Sequence, residues 1–242
     1  MALNTTVTSP TADSYATTAQ ADDYVMVKPD YNKWLELGAD KKEQLLKQAT
    51  RQIDLIENNI LPRYYQAMDY RDKQALRYPF YGQLEEFAVS VASSTTNTFA
   101  SPNLVNISYI PDDFWNGGVV IVREGAGRGK TYDVSDFEAS TGTITIDGVF
   151  TPDIDQTSQV LLLEAMDEEI INACIEQAFF LATGRDKEVV DRIQKGILSR
   201  KIDDISETYG TSGVMTAKGV PISTEAMAFL DGYIRSITNI RT

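Results

Sequence analysis

The stretch Val-Val-Ile-Val-Arg-Glu-Gly-Ala-Gly-Arg-Gly-Lys-Thr, residues 119–131, places a β-like run before a glycine-rich loop. The loop ends in Gly-Lys-Thr, as a phosphate-binding P-loop does, but a P-loop needs another glycine five positions before Gly129. Glu124 stands there, and its carboxylate would repel a phosphate. A P-loop also opens a helix, whereas residues 132–137 alternate between polar and apolar side chains like a strand. The stretch therefore predicts two strands joined by a hairpin turn, not a nucleotide site.

Short β-branched runs recur on both sides of this turn, separated by clusters of Gly, Pro, Asn, Asp and Ser. We predict strands at residues 105–110, 119–122, 131–134, 143–146 and 159–163. Strands at this spacing are typical of a small antiparallel barrel or sandwich. We place this β-module at residues 88–164.

Helical periodicity returns on both sides of the β-module. A first helix is expected from Thr17 to Pro29, and a second over about residues 40–58 with Asp40 as its N-cap. The apolar face of the second helix carries Leu45, Leu46, Ala49, Ile53 and Ile56. After the module we expect helices over residues 167–181 and 187–197 and from about Ser223. Residues 201–209 alternate like one extended strand, and residues 210–219 are predicted to form a loop.

These patterns predict an α+β fold class: a mainly α-helical core with an inserted small antiparallel β-barrel or sandwich. The predicted division has a flexible N-terminal arm at residues 1–12 and the first half of the helical core at residues 13–87. The β-module at 88–164 and the second half of the core at 165–242 follow. The arm is expected because its Thr, Ser, Ala and Pro residues offer little to a core.

The chain is acidic, lacks histidine and has one cysteine. Its 22 basic and 35 acidic residues give a net charge of −13. Three basic against ten acidic residues give residues 88–164 a charge of −7. Without histidine, the commonest general base and transition-metal ligand are missing, and Cys174 alone makes neither an intrachain disulfide nor a thiolate zinc site. We therefore expect no catalytic residues, no cofactor, no metal site and no enzyme.

Neither the start of the chain nor its apolar runs suggest a membrane partner. The first ten residues lack a basic segment followed by an apolar stretch, so no signal peptide is expected. The aliphatic runs at 119–122 and 160–163 are far too short to cross a bilayer. We expect a soluble protein made in a cytoplasm.

Two further features are candidate sites. The acidic pairs Asp112-Asp113 and Asp203-Asp204 are expected to be solvated turns, since nothing in the sequence indicates that one of these carboxyls is desolvated. Residues 63–81 interleave aromatic and basic side chains, which could stack on and attract single-stranded nucleic acid. The favoured interpretation is a packed segment whose tyrosines anchor it to the core or to a neighbouring subunit.

Several segments, taken in order, resemble a known family. They are Asp13-Ser14-Tyr15-Ala16-Thr17, Ala21-Asp22-Asp23-Tyr24, Trp34-Leu35, residues 42–56 with Ala49-Thr50, Gln74-Ala75-Leu76-Arg77-Tyr78-Pro79, residues 167–181, residues 201–209 and residues 226–233. Together they are similar to the head-to-tail connector proteins of tailed phages, also called adaptor or head-completion proteins. The chain departs from the family pattern at Phe80, where an arginine is common, and at Asp203, where a glycine is common.

The resemblance implies a structural virion protein, not an enzyme. It implies a homo-oligomeric ring, typically of twelve copies, in the neck of a bacteriophage between the portal and the tail. The genome would pass through its lumen during DNA ejection without specific binding. The implied partners are other copies, the portal protein and tail or tail-adaptor proteins, with no membrane; the implied location is the virion, after synthesis in the host cytoplasm. Some relatives are described as primosomal proteins that bind single-stranded DNA, so nucleic-acid binding through residues 63–81 is the alternative.

The charge agrees with the connector hypothesis independently, since an acidic collar offers phosphates no binding site. Extended segments such as 201–209 can add strands across subunit boundaries, and residues from Thr211 onward are expected to dock on the portal. The expected subunit or portal interface residues are Ile202, Ile205, Tyr209, Met227, Leu230 and Tyr233.

Overall fold

The chain forms two compact units in the computed structural model, which describes residues 3–7, 9–56, 75–79, 84–184, 199–202, 205–208, 215–217 and 220–235. The helical unit comprises Met1–Thr5, Asp13–Leu61 and Glu168–Thr242. The sheet unit comprises Thr6–Ala12 and Pro62–Asp167. Part of the segment expected to be a flexible arm thus belongs to the sheet unit, where Val7 is buried. Whether the sheet unit is an insertion into a helical protein stays a prediction.

The sheet unit is built on one seven-stranded antiparallel sheet in the order β1-β7-β4-β5-β6-β3-β2. Its strands are β1 (Glu86–Ser90), β2 (Ser93–Ser94), β3 (Thr98–Ala100), β4 (Val119–Glu124), β5 (Thr131–Glu138), β6 (Thr143–Ile146) and β7 (Gln159–Leu163). A short 3-10 helix, Pro102–Leu104, follows β3.

The predicted fold class is wrong in two respects. The fold is not mainly helical, because its largest element is this single seven-stranded sheet and its five described helices are short. The sheet is also not a closed barrel. Its two edge strands, β1 and β2, follow each other in the chain and are joined by Val91 and Ala92. The amide of Val91 donates to Ser158 O, just before β7, and the amide of Ala92 donates to Ala100 O, at the end of β3. The edge strands are not paired with each other, so the sheet stays open.

The glycine-rich loop is a hairpin turn, as the sequence predicts. β4 and β5 pair antiparallel with Ile121 opposite Thr131, and β5 continues as a strand where a P-loop would open a helix. Gly125, Gly127 and Gly129 have φ values of 79°, 77° and 84°. These left-handed conformations are accessible to glycine at little cost, which explains the glycine spacing without a phosphate.

Strands β4 and β7 carry apolar side chains on both faces of the sheet. Val120, Val122 and Leu162 lie in a large core that also contains Trp115 and Phe137. Val119, Ile121, Leu161 and Leu163 form a second cluster on the opposite face, with Val7, Leu84 and Met166. This two-sided burial explains why these two runs read as continuous aliphatic stretches.

The predicted strand at residues 105–110 is wrong, and this segment instead forms successive turns. Asn106 has a φ of 49° and Asp113 a φ of 66°. A residue with such a positive φ cannot be part of an extended strand. The segment is fastened to the sheet by isolated bonds: the amide of Asn106 donates to Ala139 O at 2.9 Å and that of Asp113 to Phe137 O at 3.0 Å. Of the strands, β1, β2 and β3 were not predicted.

The helical unit contains five described helices and two short hairpins. They are α1 (Thr18–Val25), α2 (Tyr31–Leu35), α3 (Ala39–Asp54), α4 (Glu168–Thr183), α5 (Thr224–Arg235), β8 (Ser199–Ile202) with β9 (Ile205–Thr208), and β10 (Met215–Ala217) with β11 (Val220–Ile222). Residues 201–209 therefore do not form one strand as predicted, since Ile202 pairs antiparallel with Ile205. Part of the predicted 210–219 loop is strand β10. The predicted helix at 187–197 lies outside the described residues.

Helix boundaries follow local capping chemistry. The Thr17 hydroxyl accepts from the amide of Gln20 at 3.2 Å and the Gln20 side chain accepts from the amide of Thr17 at 2.8 Å, a capping box. Gly38 precedes α3, and Asp40 lies in its first turn and is not its N-cap. Gly184, at φ 61°, follows the last residue of α4 as predicted.

Helix α4 is the centre of the helical unit. The sequence predicts one apolar face for it, but residues 173–179 are all buried, including Glu176 and Gln177. Helices α1, α2, α3 and α5 all pack against it. A helix surrounded in this way must bury polar side chains as well as apolar ones, and these need partners.

Candidate functional site

The only thiol in the protein is buried and is not a nucleophile. Cys174 is fully buried between α4 and α3, where its Sγ lies 3.3 Å from the Thr50 hydroxyl. Burial raises the pKa of the Cys174 thiol to about 11. The thiol therefore stays protonated at neutral pH, and thiolate chemistry needs the opposite shift. Cys174 serves as a small core residue.

The raised pKa of Cys174 predicts a loss of stability at alkaline pH. The folded state holds the proton up to about pH 11, whereas an exposed thiol loses it near its ordinary pKa of 9.0. Between these values the unfolded state binds fewer protons, so the free energy of unfolding falls as pH rises. We expect this decline in urea titrations from pH 8 to 11, and a shallower decline for Cys174→Ala. Equal slopes for both proteins would contradict it.

A buried ion pair joins α4 to the end of α1. Glu176 is 4% exposed, and its Oε1 accepts from the Tyr24 hydroxyl at 2.7 Å and from the Lys28 ammonium. Lys28 Nζ also lies 5.0 Å from the centre of the Tyr24 ring. Burial, with the hydrogen bond and charge of Glu176, raises the pKa of Tyr24. The carboxylate is held by two donors away from solvent, so it fastens helices together and is not placed to act on a substrate.

A second polar cluster joins α1, α2 and α3. Trp34 is fully buried, and its Nε1 donates to Asp22 Oδ1 at 2.7 Å. The Lys42 ammonium donates to the same oxygen at 2.8 Å. It lies 5.7 Å from the centre of the Trp34 ring. One carboxylate thus ties the three helices together.

A third cluster joins α3, α4 and the start of α5 through the fully buried Gln177. Its Nε2 donates to Gln52 Oε1 at 2.6 Å and to Pro221 O at 3.1 Å. Its Oε1 accepts from the amide of Ser223 at 2.8 Å. The Ser223 hydroxyl in turn caps α5 by accepting from the amide of Ala226 at 3.2 Å. The sequence analysis did not identify these buried polar residues. The only indication in the sequence is that Glu176 and Gln177 stand between apolar residues of α4.

The acidic pair Asp112-Asp113 has a structural role. Asp112 Oδ1 accepts from the amide of Ala139 at 2.7 Å. Asp113 Oδ1 accepts from the Asn116 side chain at 2.8 Å. Both residues are exposed, as predicted. The pair Asp203-Asp204 lies outside the described residues.

The described residues contain no group of three or more His, Cys, Asp or Glu side chains arranged to hold a metal ion.

The predicted interface residues have different environments. Ile202 and Ile205 are backbone pairing partners in the β8–β9 hairpin, and Tyr209 lies outside the described residues. In α5, Leu230 is fully buried, so it belongs to the core of its own helical unit. Met227 and Tyr233 are half-buried and keep exposed surface for a partner.

Most of the aromatic and basic segment at residues 63–81 lies outside the described residues. Within its described part, at 75–79, the Tyr78 side chain is 1% exposed. This tyrosine is anchored in the core, as the favoured interpretation expects, and its ring is not accessible to a nucleic-acid base.

Across the ranges that the structure describes, none of the helices combines the length and apolar character needed to span a bilayer. The chain matches no protein-family model, and its sequence matches no curated protein.

Proposed function

We propose that the chain is a structural virion protein of a tailed bacteriophage, a head-to-tail connector that forms a ring between portal and tail. The support comes first from where the resemblance lies. The resembling segments at residues 13–17, 21–24, 34–35, 42–56, 167–181, 201–209 and 226–233 lie on both sides of the sheet unit in sequence, yet nearly all of their residues belong to the helical unit. The remaining segment, at residues 74–79, belongs to the sheet unit. The proposal depends on this observation: most of the segments that carry the resemblance belong to one compact unit.

These bonds explain why the resembling segments come together. Asp22 and Trp34, from two of the segments, are hydrogen-bonded. Thr50 of α3 contacts Cys174 of α4, although 124 positions separate them in sequence. The intervening sheet unit has its own core. Segments that resemble the family by their order and spacing are therefore also in contact with one another in the fold.

The chemistry of the described residues supports a role in assembly. The thiol is buried and protonated, the buried carboxylate of Glu176 accepts from two donors, and the glycine loop is a hairpin turn. The net charge of −13 suits a passage for DNA, because an acidic wall repels phosphates and is separated from them by counterions. A ring of such subunits guides the genome without holding it.

The C-terminal helix provides a test of portal docking. Met227 and Tyr233 keep exposed surface, whereas Leu230 is fully buried. The double substitution Met227→Ala and Tyr233→Ala should weaken binding to the portal protein about tenfold or more, since truncating one hot-spot side chain, a class rich in tyrosine, costs about 2 kcal/mol or more. Biolayer interferometry with the immobilised portal measures this loss. The melting temperature should change little.

The matched control is Leu230→Ala. It should lower the free energy of unfolding by about 2–5 kcal/mol, because it leaves a cavity in the helical core. Unchanged portal affinity in the folded double variant would show that docking uses another surface. Removal of all residues from 211 onward is a poorer test, because Ile222, Ala226 and Leu230 are core residues.

A further inference from the structure

Among the residues of the helical unit that the structure describes, the exposed large apolar side chains all lie within ten consecutive positions. Met26, Val27, Tyr31 and Leu35 are 56%, 86%, 38% and 44% exposed. Val27 lies in the turn after α1, and Tyr31 and Leu35 are one turn apart on the same side of α2. Single exposed apolar residues need no explanation, but a concentration of them marks an interaction surface. We call residues 26–35 the helical patch.

A second exposed group lies on the sheet unit. Val105 and Tyr109 are 38% and 67% exposed. Their segment is held against β5 by the bonds of Asn106 and Asp113 to the backbone of residues 137–139. Tyr109 is thus presented by a fastened segment, which reduces the entropy lost on binding. We call residues 105–109 the sheet patch.

The two patches differ in charge. Residues 102–118 and 131–147, which carry the sheet patch and the strands beside it, contain no Lys or Arg and six acids: Asp112, Asp113, Asp133, Asp136, Glu138 and Asp147. Residues 24–41, around the helical patch, contain three lysines and three acids. Two sheet patches would therefore repel each other. A sheet patch is better matched by the helical patch, which has no excess of acids and whose Lys33, 55% exposed, forms only an exposed 3.6 Å ion pair with Asp30.

We infer that the helical patch of one copy binds the sheet patch of a second copy. This inference rests on the proposed function, since a ring requires a head-to-tail contact between two different surfaces of the same chain. Apolar contact through Val27, Leu35 and Tyr109 supplies the affinity. The charge difference sets which surfaces meet, so that the contact repeats from copy to copy instead of closing a two-fold dimer.

Cross-linking between differently labelled copies tests this pairing. The variants Val27→Cys and Tyr109→Cys each carry one reactive thiol, because Cys174 is fully buried. We expect a short bis-maleimide reagent to join the two variants when they are mixed near the solubility limit. Each variant alone should give no more dimer than the controls. Gln48→Cys, exposed on α3, and Val149→Cys, 57% exposed beyond the opposite end of β6, are the matched controls.

Charge reversal provides a second measurement. Lys33→Glu and Asp136→Lys should each weaken self-association in sedimentation experiments about tenfold. The two single variants, mixed with each other or combined in one chain, should recover most of this loss. No recovery would overturn the charge pairing between the patches.

The cross-linking outcomes separate this inference from the proposed function. Links within either variant alone that match those of the mixture, or no links in any mixture, overturn the pairing of the patches. A complete ring on the portal without links between positions 27 and 109 overturns the pairing and leaves the connector function standing. Links between these positions in a chain that forms no ring with the portal support the pairing and reject the connector function.

Discussion

Replacing Gly118 by alanine is expected to prevent the sheet unit from folding. A Cβ atom at this position would lie 2.1 Å from Leu163 O and 2.9 Å from Trp115 O, both backbone atoms. Leu163 is paired with both β1 and β4, so its carbonyl cannot move without breaking the ladder. Since β4 and β7 supply both clusters of the sheet unit, we expect a loss of about 4 kcal/mol or more, the range of the most disruptive single substitutions.

The two tryptophans allow this loss to be measured, because Trp34 lies in the helical unit and Trp115 in the sheet unit. In a Trp34→Phe background, Trp115 fluorescence reports on the sheet unit alone. The matched control is Gly129→Ala. Gly129 has a φ of 84°, and a Cβ atom added there would meet no other atom within 4 Å, so the control tests backbone strain without a collision. It should cost only about 1–2 kcal/mol. Similar losses for both variants would contradict the collision.

Replacing Trp34 by alanine is expected to be the most damaging side-chain truncation in the helical unit. The indole is fully buried and joins α2 to Asp22 of α1. Its removal leaves a large cavity, and Trp→Ala changes of this kind cost about 3–5 kcal/mol. The loss should appear in urea titrations followed by helical circular dichroism. If the connector proposal holds, portal binding should fall with it, because α5, the proposed docking helix, packs in the same unit.

Trp34→Phe separates packing from hydrogen bonding. Phenylalanine keeps most of the buried ring and removes the Nε1 donor, while Lys42 still donates to Asp22. The expected loss is about 1.5–3 kcal/mol, the range for one hydrogen bond to a charged group. An alanine variant as stable as the phenylalanine variant would show that the indole contributes little packing.

Local signals in the sequence predicted the parts of the fold that depend on few residues. The missing glycine at Glu124 indicated a turn, and three further glycines accommodate it at positive φ. β6 and β7 have the predicted bounds, Thr143–Ile146 and Gln159–Leu163. In each case the deciding information lies within a few consecutive positions.

Features that depend on residues far away in the sequence could not be predicted from local sequence patterns. β1 alternates in burial, but only Phe87 and Val89 turn inward, and Ala88 between them is apolar, so the alternation is weak in the sequence. The positive φ values of Asn106 and Asp113 are sustained by bonds to β5, which sequence spacing does not reveal. The burial of α4 on all sides, and with it the role of Glu176, arises from helices that are distant in the chain. The fold class was wrong for the same reason: sheet closure depends on whether the two edge strands pair.

The proposal that this protein assembles into a passage is decided by the mass of the purified chain, measured alone and with a portal protein from a tailed phage that encodes it. We expect one discrete complex in which a closed ring of identical copies is added to the portal. If the chain stays monomeric in saturating portal, as measured by native mass spectrometry, the connector function is contradicted.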